Sequence, residues 1–180
     1  MSGLTADELE ADFPAGTELP ESLERLCAFA DVRDGAVACD FVLTSRAQRQ
    51  VAAVLGIADA DAERFAMFGQ DGTASLYGFW RVDERPLAQA PVVFVGAEGV
   101  GTGVIAATIE DFLALLAVGK DAVGWVDQWS EGECAGVADY REWLRADCGL
   151  EAPADPRAAV EAARAAHPSL AEWAKERRGG

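Results

Sequence analysis

The chain has 180 residues, 51% of them hydrophobic and 26% charged, which is the composition of a folded domain and not of a disordered or fibrous chain. At this length about 70% of the surface exposed by the unfolded form is typically buried, so the core requires neither metal nor disulfides. Fifteen lysines and arginines against 31 aspartates and glutamates leave a net charge of −16, which repels phosphate backbones and speaks against nucleic acid as a partner.

The same field would speed encounter with a basic protein, although acidity also serves solubility alone. Residues 1–40 hold ten of the acids and only two bases, Arg25 and Arg33. Residues 1–16 read as an acidic N-terminal segment ahead of a single domain over residues 17–180. The start lacks the basic and apolar regions of a signal peptide, which predicts a cytoplasmic protein. The longest apolar stretch, from Pro91 towards Leu116, is interrupted by Glu98, Glu110, Asp111 and several glycines. It therefore falls short of the ~20 apolar residues of a membrane span.

Pro20 and Glu21 open a first helix, in which Leu23, Leu26, Cys27 and Ala30 recur at helical spacing. Gly35 ends it, and residues 36–43 read as one short strand. Ser45 and Gln48 have capping-box spacing and start a second helix with Ala47, Val51, Val54 and Leu55 on its apolar face, stopped by Gly56. Residues 58–63 predict a short helix leading to Phe65, Met67 and Phe68. After the turn cluster over residues 69–73, residues 75–82 form a strand. Leu76, Gly78 and Trp80 share one face of that strand and Tyr77 and Phe79 the other. Two apolar faces predict a central position in the sheet.

Residues 91–95 give the next strand, followed by a glycine-rich loop and a third strand over residues 104–106. Thr108 and Asp111 cap a helix with Ile109, Phe112, Leu113 and Leu116 inward, ending at Gly119. Residues 120–136 are irregular, acidic and tryptophan-bearing. Asp139 with Glu142 predicts a cap for a helix carrying Tyr140, Trp143 and Leu144. Asp155 with Pro156 starts another, and Ser169 with Glu172 a last one, so the alanine-rich tail forms a helical hairpin.

Few residues combine into a chemical constellation. Gly101, Gly103 and Ala106 fit the GxGxxA form of a dinucleotide fingerprint, but that motif requires a strand, a glycine turn and then a helix whose amides face the pyrophosphate. Here the residues after the glycines look extended, so a glycine-rich hairpin is the better reading. His167, the only histidine, lies at a helix junction where a structural role suffices. Asp59, Asp61 and Glu63 alternate like a calcium loop but lack its glycine and distal glutamate. Asp71 is the best positioned carboxylate, and an aspartate in that setting makes an Asx turn. Cys27, Cys39, Cys134 and Cys148 match no zinc or redox spacing and are expected to be reduced, mostly buried thiols.

Four segments in this order resemble the SUKH superfamily, which includes fungal cell-wall glucan-synthesis regulators. They are Leu19-Pro20-Glu21-Ser22-Leu23, Phe68-Gly69-Gln70-Asp71-Gly72-Thr73, Pro91-Val92-Val93-Phe94-Val95-Gly96 and Thr108-Ile109-Glu110-Asp111-Phe112-Leu113. The tail, Ala162-Ala163-Arg164-Ala165-Ala166-His167-Pro168 through Trp173, is similar to that of actinobacterial members. The likeness covers most of residues 17–176; the loop over residues 97–103 is longer than the pattern. It implies an α+β fold with a mostly antiparallel, twisted sheet, packed helices and extra C-terminal helices. It also implies a role without catalytic residues or cofactors, because many bacterial members are immunity proteins that neutralise toxins, often nucleases.

The expected function is thus a non-enzymatic protein-binding module, an immunity protein against a basic toxin. The alternative is a cytoplasmic adaptor or regulator of cell-wall synthesis or signalling, and a small-molecule enzyme is disfavoured. Trp125 and Trp129, among Asp127, Glu131 and Glu133, combine large aromatics with a charged rim and are the expected partner-binding surface.

Overall fold

The computed structural model describes residues 4–120 and 133–178. Its centre is one six-stranded sheet in which every neighbouring pair is antiparallel and the spatial order follows the chain. The strands are β1 (Ala36–Ala38), β2 (Phe41–Leu43), β3 (Phe65–Gln70), β4 (Leu76–Trp80), β5 (Val92–Val95) and β6 (Gly103–Ala106). Eight helices accompany them among the described residues: α1 (Ala6–Ala11), α2 (Glu21–Asp31), α3 (Arg46–Leu55), α4 (Asp59–Ala62), α5 (Ile109–Leu116), α6 (Val137–Trp143), α7 (Pro156–Ala165) and α8 (Leu170–Arg177). This is the expected single-domain α+β class with an antiparallel sheet.

β4 is central, as its two apolar faces predict. All five of its residues are buried, with β3 on one side and β5 on the other. Tyr77 and Phe79 join Phe41, Phe68, Phe94 and Phe112 in a core beneath α1, α2, α5 and α6. Leu76 and Trp80 face the opposite way, with Met67, Val93, Val95 and Val104, beneath α3 and α8. The sheet is therefore covered on both faces, and each fully buried leucine or phenylalanine contributes ~1.5–3 kcal/mol. α7 lies along the outer strand, placing Val160 in the first core and Ala163 in the second. Its Arg164 donates to the carbonyls of Val104 and Gly101 at 3.0 and 3.3 Å, covering an edge that would otherwise invite strand pairing.

Several boundaries follow the local chemistry read from the sequence. Gly56 closes α3 at φ 68°, Asp155 and Ser169 cap α7 and α8 with their side chains, and Thr108 accepts from Asp111 N–H at the start of α5. Residues 1–16, set apart in the sequence reading, contribute α1 and bury Leu9 and Phe13 in the first core.

Other expectations are corrected. Residues 36–43 form two strands, because Cys39 takes a left-handed conformation (φ 55°) and reverses the chain. Phe65–Gln70, to which the short helix α4 leads, is a strand paired to β4. Ser45 makes no capping bond; Gln48 instead turns inward, and its side-chain oxygen accepts the Met67 N–H at 2.8 Å. α6 starts at Val137 after a left-handed Gly136, so Asp139 sits inside the first turn and is not its cap. The four cysteines are not all reduced: Cys39 and Cys134 form a disulfide across a sequence separation of 95, leaving Cys27 and Cys148 free.

Candidate functional site

Three turns meet at one end of the aromatic face of the sheet. The first is the β1–β2 turn at Cys39 and Asp40. The second connects β3 to β4 over residues 71–75, and the third is the glycine-rich connection from Gly96 to Thr102 between β5 and β6. Between them lies a cleft of about 410 Å³. Phe41, Tyr77, Phe94 and Leu116 form its apolar lining, Asp40, Asp71 and Glu98 its acidic side, and Lys120 is the one base among the described lining residues.

The turn over residues 71–75 is organised by Asp71. One oxygen of its carboxylate accepts from the Thr73 N–H at 2.9 Å, the Thr73 hydroxyl at 2.6 Å and the Ser75 N–H at 3.1 Å. The other accepts from the Tyr77 hydroxyl at 2.9 Å. The Asx turn expected for this residue is present, and the Tyr77 bond extends it into the strand. Four donors hold the carboxylate in place, which makes it an anchor of the cleft wall and a poor candidate for a general base. Ser75, which is buried, carries the wall onward: its hydroxyl meets that of Thr73 at 2.8 Å and accepts the Ala97 N–H at 3.3 Å.

The opposite wall is the glycine loop. Its Thr102 hydroxyl accepts the Gly96 N–H at 3.1 Å, and a Cβ on Gly96 would collide with the Val100 carbonyl. Glycine is therefore required there by close approach of the backbone. The GxGxxA residues run into β6 and not into a helix, the strand context read from the sequence. Glu98 and Val100 stand out on the loop, Val100 with 76% of its surface exposed.

Of the expected partner-binding residues, Trp125, Asp127, Trp129 and Glu131 lie outside the described residues. Glu133 is exposed and accepts an ion pair from Arg141 at 2.6 Å. Arg141 also donates to the Ala117 and Val118 carbonyls just beyond α5, so Glu133 helps to hold the α5 and α6 ends together.

The remaining candidates lie away from the cleft. His167 follows α7, near Asp83 and Arg85, and burial and then the Arg85 charge hold its imidazole below the ordinary value. Asp61 pairs with Arg177 at 3.4 Å. Burial pushes the Cys27 thiol up to about 12 and raises that of Cys148 as well, so neither carries the lowered pKa of a reactive cysteine. Among the described residues no group of three histidine, cysteine, aspartate or glutamate side chains gathers as a metal site. No described helix is long and apolar enough to cross a membrane.

The cleft escaped sequence reasoning because its parts are distant in the chain: each turn has a sufficient local explanation, and only the sheet order brings the three together. The available signal was the pairing of two turn clusters with apolar strands whose ends coincide in an antiparallel meander. Protein-family models, curated proteins and solved structures yield no match to this chain.

Proposed function

We propose that this chain is a non-enzymatic protein-binding module of the SUKH type, an immunity protein that occludes the basic surface of a toxin. The observation that carries the reading is how the molecule disposes of its positive charge. Arg25, Arg49, Arg81, Arg85, Arg141, Arg145, Arg157 and Arg177 all stand in ion pairs with carboxylates of the same chain. Arg164 and Arg178 donate to backbone carbonyls. Exposed pairs of this kind add little stability, but they neutralise the bases locally and leave the charge of −16 to act outward.

A nuclease is positive where it holds phosphate, and a negative protein with a preformed surface can occupy that region. The best positioned carboxylate, Asp71, is engaged in structural hydrogen bonds, which favours binding over hydrolysis. The reading places the protein in the cytoplasm, where its target would act. The Cys39–Cys134 disulfide sets a condition on that placement, since cytoplasmic thiols are ordinarily kept reduced.

The test is to capture partners with the tagged full chain from its native lysate and to measure association with the captured protein across ionic strength. A basic partner whose association slows as salt rises supports the reading. Affinity that stays flat removes charge from the mechanism. A basic partner with no toxic activity selects the adaptor role instead.

A further inference from the structure

The Cys39–Cys134 disulfide is not placed where a fold of this size needs one. Small secreted domains use disulfides to supplement a core too small to hold the chain, whereas the two buried clusters that hold this one include neither cysteine. We propose that the bond is a reversible redox switch, opened by a dithiol and closed by a disulfide oxidant, that frees or locks the β1–β2 wall of the cleft. The inference stands independently of the protein-binding reading.

Access is the first observation. Cys39 and Cys134 are both half-buried, so a thiolate from outside can approach a sulfur, and exposed disulfides are the ones that exchange readily. Neither free cysteine supplies that thiolate. Cys27 is 2% exposed, with its thiol pushed by burial up to about 12, and burial raises the thiol of Cys148 as well.

The second observation is what the bond holds. Cys134 and Ala135 lie beside the β1–β2 turn, where the Cys39 N–H donates to the Ala135 carbonyl at 3.1 Å, and the Cys134 N–H donates to the Gly119 carbonyl at 3.0 Å. Both flanks of this strip have anchors of their own. On the sheet side Phe41 is buried and the Leu43 N–H donates to the Gly35 carbonyl at 2.9 Å. On the helix side Val137 and Tyr140 are buried, the Tyr140 hydroxyl donates to the Leu113 carbonyl at 2.8 Å, and Arg141 donates to those of Ala117 and Val118. Breaking the S–S bond therefore loosens the strip and leaves the sheet and α6 in place, a local opening and not an unfolding.

The loosened side is a wall of the cleft. Cys39, at φ 55°, and Asp40 both line it. A residue with a Cβ keeps a left-handed conformation only while its surroundings hold it there, and the disulfide is one such restraint. A Cβ on Gly72 would lie 3.3 Å from that of Asp40, so the β1–β2 turn abuts the turn organised by Asp71, and freeing one alters the support of the other.

The exchange balances with the dithiol as co-reactant. One thiolate of the dithiol attacks a sulfur, the Cys39–Cys134 bond breaks as a mixed disulfide forms, and the dithiol's second thiolate displaces the cysteine from it. The dithiol is oxidised to a disulfide by two electrons, which together with two protons leave Cys39 and Cys134 as thiols. An external disulfide runs the same steps backwards and restores the lock.

The experiment treats the oxidised full-length protein with dithiothreitol in native buffer, identifies the new thiols by alkylation and mass, and follows amide hydrogen exchange. Cys39 and Cys134 should become alkylated at a rate that sub-denaturing urea does not change. Exchange should quicken at least ~tenfold at the Cys39 and Cys134 amides and stay as it was at those of Leu43 and Leu144, which bond within the sheet side and α6. Cys39→Ser/Cys134→Ser should show the same pattern without reductant. Across glutathione buffers spanning the cytoplasmic poise the pair should pass from oxidised to reduced and back. A rate of reduction that climbs with urea as global unfolding does, or exchange that quickens equally at Leu43 and Leu144, would make the bond structural and overturn the proposal. So would exchange unaltered at Cys39, or a pair that stays oxidised throughout the glutathione series.

Discussion

The two faces of the sheet are both buried but are finished differently. The face beneath α3 and α8 is largely aliphatic between strands, with Leu76, Val93, Val95 and Val104, and has Phe65, Trp80 and Trp173 packed together at one end. Helix approach there is close. Gln48 of α3 bonds directly to the β3 backbone. The other face is a connected aromatic cluster in which Phe41, Phe68, Tyr77 and Phe112 touch one another. Beyond the end of α5, at Leu116 and Lys120, the same layer borders the cleft. Both layers bury their side chains, but the aromatic one borders the cleft, where Phe41, Tyr77 and Phe94 lie almost fully buried beneath the turns.

The strongest test of that contrast is Phe112→Ala. Its ring is fully buried and meets those of Phe41, Phe68 and Tyr77, so truncation should cost about 3–5 kcal/mol in denaturant unfolding. Leu76→Ala, on the aliphatic face, removes fewer atoms and should cost less within the ~2–5 kcal/mol expected for leucine. Equal losses would mean that the rings confer no special dependence on the aromatic layer.

Next in size is the tie at the open edge of that layer. Cys39 lines the cleft and is bonded to Cys134. Removing a native disulfide typically costs about 2–5 kcal/mol, largely by freeing the unfolded chain. The Cys39→Ser/Cys134→Ser variant should lose a corresponding amount. The parent, denatured without reductant, should show two reactive thiols, Cys27 and Cys148, and four after reduction. Four reactive thiols before reduction would remove the tie.

A smaller effect belongs to the wall. Asp71→Ala leaves the Tyr77 hydroxyl and the donors of Thr73 and Ser75 without their shared acceptor, which should cost about 1–3 kcal/mol. Asp71→Asn retains an oxygen and should recover much of the loss. If both variants are as stable as the parent, the turn holds its shape without the carboxylate and the wall is not preorganised by it.

How much of this was legible depends on the range of the interaction. The central position of β4 was readable because both of its faces are apolar, and caps such as Asp155 and Ser169 were readable because donor and acceptor lie within one turn. β3 was hidden: Phe65–Gln70 is buried almost throughout and alternates with nothing polar, so its pairing with β4 decides its form more than its own pattern does. Ser45 and Gln48 had the spacing of a capping box, but spacing could not reveal that an unpaired strand amide lay within reach of Gln48. The disulfide joins residues too distant for any local signal. The cleft required the whole sheet order, while Asp71, one of its anchors, was recognisable as a turn former and not as a wall. Apart from Glu133, the expected binding residues Trp125, Asp127, Trp129 and Glu131 lie outside the described residues.

The smallest predicted effect places the neutral-pH sensitivity of the fold on the closed side. His167 joins α7 to α8, whose Leu170 and Ala174 pack on the aliphatic layer. Burial first, and the nearby Arg85 charge second, hold it below the ordinary value of 6.5, with Asp83 opposing. The folded protein therefore binds this proton less readily than the unfolded chain. Stability is at its full value above pH ~6.5 and declines as pH falls through that value towards the folded pKa. Other groups titrate elsewhere. Glu8 and Asp83 are held low by hydrogen bonds from Thr5 and Arg85 respectively, so their contributions are lost only at acid pH, below the ordinary carboxylate values of 4.5 and 3.8. The Cys27 thiol remains protonated. Since His167 is the only histidine, a shallow slope of stability between about pH 5.5 and 7 should vanish in His167→Gln, read as urea midpoints across that range. A slope that survives the substitution belongs to another group and would move the neutral-pH sensitivity away from this junction.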